Sequence, residues 1–262
     1  MIEVQNLSKS VEGNAIFTDL TFRVSSGENL ALLGANGAGK TLLLRILATL
    51  TKPTSGTVSI AGQDAFANLR NVRPCIGYIP ETFDGYPHLS VVEYLVFFAA
   101  AYKLDKSGRA TAIDDVLNLM DIAAISNRKI ECLSQGEKQR LCLAKTFLHD
   151  PAIWLFDEPF SGLDVRGRIE LSTLIQELTA MEKTIVTATN RASEVAPICS
   201  HVIILAEGGL AFSGNMAEIE TNLEDLFLQV TTPDRIDEEG DGPDTAPDTS
   251  VEDSVEKMTE NI

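Results

Sequence analysis

Leu30-Ala31-Leu32-Leu33-Gly34-Ala35-Asn36-Gly37-Ala38-Gly39-Lys40-Thr41-Leu42-Leu43-Leu44-Arg45-Ile46-Leu47-Ala48 decides the fold. The apolar run Leu30–Leu33 has the length and composition of a buried strand, and Thr41–Ala48 that of a helix. Between them lies a glycine-rich turn that ends in Lys40-Thr41. In such a setting the glycines let successive backbone N–H groups of residues Gly34, Ala35, Asn36, Gly37, Ala38 and Gly39 point inward at phosphate oxygens. Lys40 reaches the outer phosphates, and the Thr41 hydroxyl is a ligand for Mg²⁺. The start of the helix adds its own partial positive charge. Strand, loop and helix in this order predict a site for a nucleoside triphosphate.

Working outward, near-continuous apolar runs return at Ile153–Phe156, Thr184–Ala188 and His201–Leu205, separated by helical segments at Arg166–Ala180 and Ala192–Cys199. Runs of this kind belong to a parallel sheet buried on both faces. Ile76–Ile79, stopped by Pro80, is a further strand, and Gly208-Gly209 reads as a hairpin turn. Near the N-terminus Ile2 and Val4, then Leu20, Phe22 and Val24, alternate with polar residues, as half-exposed strands do. Between Tyr86 and Asp150 the pattern is helical: Ser90 to about Tyr102, opened by a Ser90/Glu93 capping box, then about Ala110–Met120 and Gly136–Leu148. The expected class is α/β: a P-loop NTPase core with a mostly parallel sheet, an antiparallel N-terminal β subdomain and an inserted α-helical subdomain at about 86–150.

The 262 residues, 44% of them apolar, suffice for one large domain, taken as residues 1–230. Residues 231–262 hold eleven acids against Arg235 and Lys257, with three prolines and few large apolar groups. That composition predicts an acidic, disordered and solubilising extension. A net charge of −17 argues against nucleic acid as the main partner. No apolar stretch approaches the roughly 20 residues of a membrane span. The start of the chain has no basic or apolar leader pattern. Cys75, Cys132, Cys142 and Cys199 are widely spaced, without metal-ligand spacing, and read as reduced, buried or inert thiols. Trp154 reads as core, and His88, His149 and His201 are isolated.

Phe156-Asp157-Glu158 ends a buried strand in two carboxylates, at the edge where parallel sheets bind ligands. Asp157 is the expected partner of Thr41 in holding Mg²⁺, and Glu158 is expected to orient or deprotonate the attacking water.

Leu133-Ser134-Gln135-Gly136-Glu137-Lys138-Gln139-Arg140, ahead of Asp157, resembles the signature motif of ABC-type ATPases, and Ser161-Gly162-Leu163-Asp164 is similar to their D-loop. The resemblance runs from about Ile2 to Val230, and the segments Ile76–Glu81 and Asp157–Asp164 look most like the ATP-binding subunits of ABC-2-type exporters. It implies a head-to-tail pair of ATPase subunits, homo- or heterodimeric. ATP would sit between Lys40 of one chain and the Ser134–Glu137 helix start of the other, where Ser134 and the Gly136 backbone donate to the γ-phosphate. It also implies a separate membrane-spanning permease, a cytoplasmic chain held at the inner face of the membrane through it, and energised transport, with export expected. In the family, the region of Phe83–Leu89 receives a coupling helix of the permease, and Phe83 and Tyr86 are expected to be exposed there.

Three positions depart from the family pattern. Asn190 stands where a histidine touches the γ-phosphate; it donates a hydrogen bond but carries no charge. Glu81 replaces a glutamine near the metal, where it accepts and does not donate. Val11 stands near the position of the aromatic that stacks on adenine, and Phe17, whose spacing suits the core, is the alternative. These departures predict slow turnover, a partner ATPase subunit of different sequence, or a regulatory chain. A soluble ABC protein working on DNA or the ribosome fits less well, because the chain has one nucleotide domain, no heptad run and an acidic body.

Overall fold

The structure, a computed structural model, describes residues 1–83 and 85–232. The expected acidic extension falls on residues 233–262 and lies outside the described residues. Residues Met1–Thr232 form one compact unit.

Strands β1 (Ile2–Val11) and β2 (Asn14–Val24) form an antiparallel hairpin. Glu12 and Gly13, both at positive φ (52° and 85°), make its two-residue turn. Then come β3 (Asn29–Gly34), α1 (Lys40–Leu47), β4 (Ser55–Ile60), β5 (Gln63–Asp64), α2 (Leu69–Val72) and β6 (Ile76–Ile79). The helical insert carries α3 (Val91–Ala101), α4 (Arg109–Leu119) and α5 (Gln135–Phe147). The chain closes with β7 (Ile153–Asp157), α6 (Val165–Ala180), β8 (Thr184–Thr189), α7 (Ala192–Val195), β9 (His201–Ala206), β10 (Gly209–Asn215) and α8 (Leu223–Thr231).

The strands sort into two sheets. One is antiparallel with order β2-β1-β4-β5. The other has order β10-β9-β3-β8-β7-β6, parallel except for β10. β3, β7 and β8 are buried along their whole length, and alternation divides their side chains between two cores. Leu30 and Leu32 of β3 join Leu43, Leu47, Leu155 and Phe17 under the antiparallel sheet. Ala31 and Leu33 join Trp154, Phe156 and the helical insert. Both faces are covered, which is why these strands are continuous apolar runs. Because β8 lies between β3 and β7, Gly34, Asp157 and Thr189 all end on one edge of the sheet, where ligands bind in such folds.

Several expectations need correction. The hairpin turn before β10 is Glu207-Gly208, at φ 50° and 75°, and Gly209 already pairs with Ala206. The helix expected over Ala192–Cys199 stops at Val195, because Pro197 offers no N–H and its ring crowds the preceding turn. Helices α4 and α5 each begin one residue earlier than their periodicity indicated. Helix α8 was not foreseen, although Leu223, Leu226, Phe227 and Val230 recur at helical spacing and pack on the helical core. The Ser90 capping box is as expected, Ser90 Oγ accepting Glu93 N–H at 3.3 Å and Glu93 accepting Ser90 N–H at 2.8 Å. All four cysteines are free; Cys142 is buried and Cys132 is exposed.

Candidate active site

The loop from Gly34 to Lys40 turns because glycine permits it. Gly39 lies at φ 92°, and a Cβ there would stand 2.9 Å from Phe17 Cδ1. Phe17 is thus core, packed beneath the loop. Lys40, only 6% exposed, donates from Nζ to the carbonyls of Gly34 (2.9 Å) and Ala35 (3.2 Å). The same Nζ lies 3.3 Å from Glu158 Oε1.

Asp157 ends β7 almost wholly buried. Each of its oxygens has one donor: Thr41 Oγ1 to Oδ1 at 2.9 Å, and the Tyr78 hydroxyl to Oδ2 at 3.0 Å. Burial pushes the Asp157 pKa up, the two hydrogen bonds oppose this, and the charges of Glu81 and Glu158 push it further up. Burial, with the Asp157 charge beside it, likewise raises the Tyr78 phenol. Glu158, the next residue, takes a positive φ of 44° while its N–H donates to Ala188 O at 2.8 Å. A non-glycine residue held there is strained, and the kink swings the carboxylate off the line of the strand toward Lys40. Asn190, just past β8, donates from Nδ2 to Asn36 Oδ1 at 2.9 Å. These groups line one open cleft of about 560 Å³: Asn36, Lys40, Thr41, Glu81, Glu158 and Asn190.

Two hard oxygen donors, Thr41 and Asp157, already touch, and among the described residues no group of three or more His, Cys, Asp or Glu is placed to hold a metal ion by itself. A small divalent cation that keeps most of its water and shares phosphate oxygens fits such a pair.

The other predicted residues stand elsewhere. Val11 is 44% exposed at the end of β1 and is not a wall of the cleft. Ser134, Gly136 and Glu137 are also absent from its walls. Ser134 caps α5: its Oγ accepts Glu137 N–H at 3.3 Å, and Glu137 accepts Ser134 N–H at 2.7 Å. That backbone donor, with Arg128 at 2.8 Å, holds the Glu137 carboxyl below its usual range. Of the first-turn amides, Glu137 N–H is taken by Ser134, while those of Gln135 and Gly136 have no carbonyl partner inside the helix. Gln135 packs over Gly162, and Asp164 caps α6 by accepting Gly167 N–H at 2.7 Å.

Phe83 corrects an expectation: it is half-buried against the helical core, its ring 5.5 Å from that of Tyr94. Tyr86 is exposed as expected, in edge contact with an equally exposed Phe97. Trp154 is core, its Nε1 donating to Pro151 O at 3.1 Å. None of the three histidines lines the cleft. Sequence reasoning missed Tyr78, hidden inside a strand pattern, and Glu194, which is held by nearby Thr189 and Arg191 and by Arg168 on α6.

The family profile for ABC transporters matches residues 17–161. The chain belongs to the ABC transporter family. An uncharacterized ABC transporter ATP-binding protein of Methanocaldococcus jannaschii is 35% identical over 83% of this chain and 79% of its own length. The Nod factor export ATP-binding protein I of Burkholderia lata is 30% identical over 89% of this chain and 77% of its own. A solved ATP-binding subunit of an ABC transporter superimposes with a TM-score of 0.81 at 28% identity, covering 88% of this chain and 99% of that one. The chain is an ATP-binding, ATPase subunit of this family, and its α/β architecture is the family's. Among the described residues no helix is long and apolar enough to cross a membrane.

Proposed function

We propose that this ABC subunit hydrolyses Mg²⁺-ATP between two cassettes and so drives export through a separate permease. The observation that carries the reading is the convergence of Lys40, Thr41 and Glu158 on one cleft, with Asp157 buried behind Thr41 and hydrogen-bonded to it. The backbone amides of Gly34–Gly39 and Lys40 hold the phosphates, and the ion pair with Glu158 keeps Lys40 aimed at the cleft. Thr41 and Asp157 hold the magnesium ion, with Glu81 beside them at the metal. When bound, that ion neutralises phosphate charge and orients the terminal phosphoryl group. Glu158 is the base toward water, its carboxylate turned into the cleft by the strained backbone. Asn190 contacts the terminal phosphate as a neutral donor.

The helix start at Ser134–Glu137 offers the open amides of Gln135 and Gly136, a phosphate-binding end away from this chain's own cleft. Its use requires a second ATPase subunit, identical or related, with Ser161–Asp164 at the joint. We assign the catalytic unit to residues 1–230, with the helical subdomain at about 86–150 and the acidic segment 231–262 outside it. Exposed Tyr86 and Phe97 mark the side of the helical subdomain that meets the permease, and the chain then lies at the cytoplasmic face of the membrane. The export-type name of the Burkholderia relative favours export as the direction. Val11, an aliphatic side chain, offers adenine no ring to stack on.

Glu158→Gln tests the reading. It should lower turnover by about 10²–10⁴-fold while keeping ATP binding, and ATP-loaded variant should elute as a dimer on sizing. Retained turnover, or a monomer at saturating Mg²⁺-ATP, would refute it.

A further inference from the structure

Glu194 is a carboxylate at the cleft to which the reading above gives no task. Its side chain is only 9% exposed, and donors from separate stretches of chain converge on it. The Thr189 hydroxyl donates to Oε2 at 3.1 Å, and Arg191 donates from NH1 to Oε1 at 3.4 Å. Arg168, on α6, brings its NH1 to 3.3 Å from the same Oε1. Thr189 and Arg191 are the two chain neighbours of Asn190. The Thr189 hydroxyl also accepts the Arg191 backbone N–H at 3.2 Å, closing a ring around residue 190. From inside that ring the Asn190 amide reaches Asn36 in the phosphate loop at 2.9 Å. On its other side, Arg168 Nε donates to the carbonyl of Leu163 at 3.1 Å, one residue before Asp164.

We propose that Glu194 is a positioning residue for Asn190. It clamps both neighbours of Asn190 so that the amide faces the terminal phosphate, and through Arg168 it ties that setting to the Ser161–Asp164 loop. The inference rests on the reading of Asn190 as a terminal-phosphate contact. The chemistry requires a carboxylate: two oxygens serve a hydroxyl and two guanidinium groups, all donors without acceptor needs. A glutamine of the same shape offers one oxygen and turns an NH₂ toward an arginine or the hydroxyl.

The test is discrimination between ATP and ADP, read as the ratio of Kd for ADP to Kd for a non-hydrolysable ATP analogue, both with Mg²⁺. A residue with a merely structural role lowers both affinities together and leaves the ratio alone. Asn190→Ala and Glu194→Gln should each lower the ratio about tenfold, the worth of one phosphate hydrogen bond. The double variant should fall no further than Asn190→Ala alone, because the two changes remove one contact. A Glu194→Gln ratio within about twofold of wild type while Asn190→Ala shifts, or additive losses, would overturn the positioning role and leave the Asn190 reading standing. An unchanged ratio in Asn190→Ala would sink both. Should Glu194→Gln fail to fold, Arg168→Met keeps an aliphatic stem and removes the outer guanidinium. It should lower the ratio in the same direction, and an unchanged ratio would count against the tie to α6.

Discussion

Replacing Tyr78 by phenylalanine deletes one hydroxyl and nothing else, at a place where that hydroxyl is half of what holds Asp157. The Tyr78 O–H donates to Asp157 Oδ2 at 3.0 Å and Thr41 to Oδ1 at 2.9 Å, with the carboxylate 1% exposed. Water does not reach the freed oxygen readily, so the ionised carboxylate loses a charged-acceptor hydrogen bond worth about 1.5–3 kcal/mol. Metal binding needs that ionised form. If the whole loss falls on it, the Mg²⁺ concentration for half-maximal support of nucleotide binding rises by about 10- to 100-fold.

The pH behaviour follows from the same geometry. Asp157 already has its folded pKa raised, chiefly by burial. A carboxyl of this kind opposes folding above its folded pKa, and the penalty fades as pH falls through that value, because the folded state then binds the extra proton. Tyr78→Phe raises the folded pKa further. Its deficit in stability should therefore be largest near neutral pH and shrink in acid, while the acid loss of Mg²⁺-nucleotide binding moves to higher pH. Mg²⁺ titration of fluorescent-nucleotide binding, with EDTA controls and thermal melts from pH 8 to 4, reads each effect. Metal-free nucleotide binding should hardly change. A Mg²⁺ midpoint within twofold of wild type, or an equal loss of binding in EDTA, would show that Tyr78 does not hold Asp157 for the metal.

Asn190→His should raise kcat by about tenfold, since it restores a protonatable donor at the cleft; steady-state ATPase assays check this, and an unchanged rate would remove the argument for slow turnover. Gly39→Ala should cost about 1–3 kcal/mol from backbone conformation alone, with crowding against Phe17 and Ile16 added, and abolish nucleotide binding; denaturant melts and fluorescence titration read the two effects. His149 is held below its usual pKa chiefly by burial, beside the Ile76 carbonyl at 3.1 Å and 4.1 Å from the Tyr102 ring centroid. A depressed histidine pKa means that the unfolded state binds the proton first, so stability falls as pH drops below about 6.5 and levels off beneath the folded pKa. His149→Phe should flatten that segment of the Tm–pH profile, and an unaltered slope would assign it to other groups.

What could be read from the sequence follows from which signals are local. The phosphate loop, the strand ending at Asp157-Glu158 and the Ser90 cap each depend on neighbours within a few residues, so pattern alone located them. The continuous apolar runs of β3, β7 and β8 announced a sheet buried on both faces, because burial on two sides erases alternation. Tyr78 was illegible for the opposite reason. Its hydroxyl finds Asp157 only once β6 lies alongside β7, and inside Ile76–Ile79 it looks like one more strand former. Glu194 has Thr189 and Arg191 close by in the chain, but its contact with Arg168 exists only once α6 lies beside the end of β8. Phe83 misled because a run of glycine, proline and aromatics around it reads as a surface loop, whereas Tyr94 and the helical core draw its ring inward. Val11 stands at the exposed end of β1, where the β1–β2 hairpin turns at Glu12-Gly13. The residues we assign to phosphate are therefore legible where the chain passes the cleft once, and the residues packed around them are legible only after folding. Substitutions at Tyr78, Glu194 and Arg168 consequently probe the fold's contribution to catalysis, a quantity that substitutions at Lys40 or Glu158 do not separate from the chemistry itself.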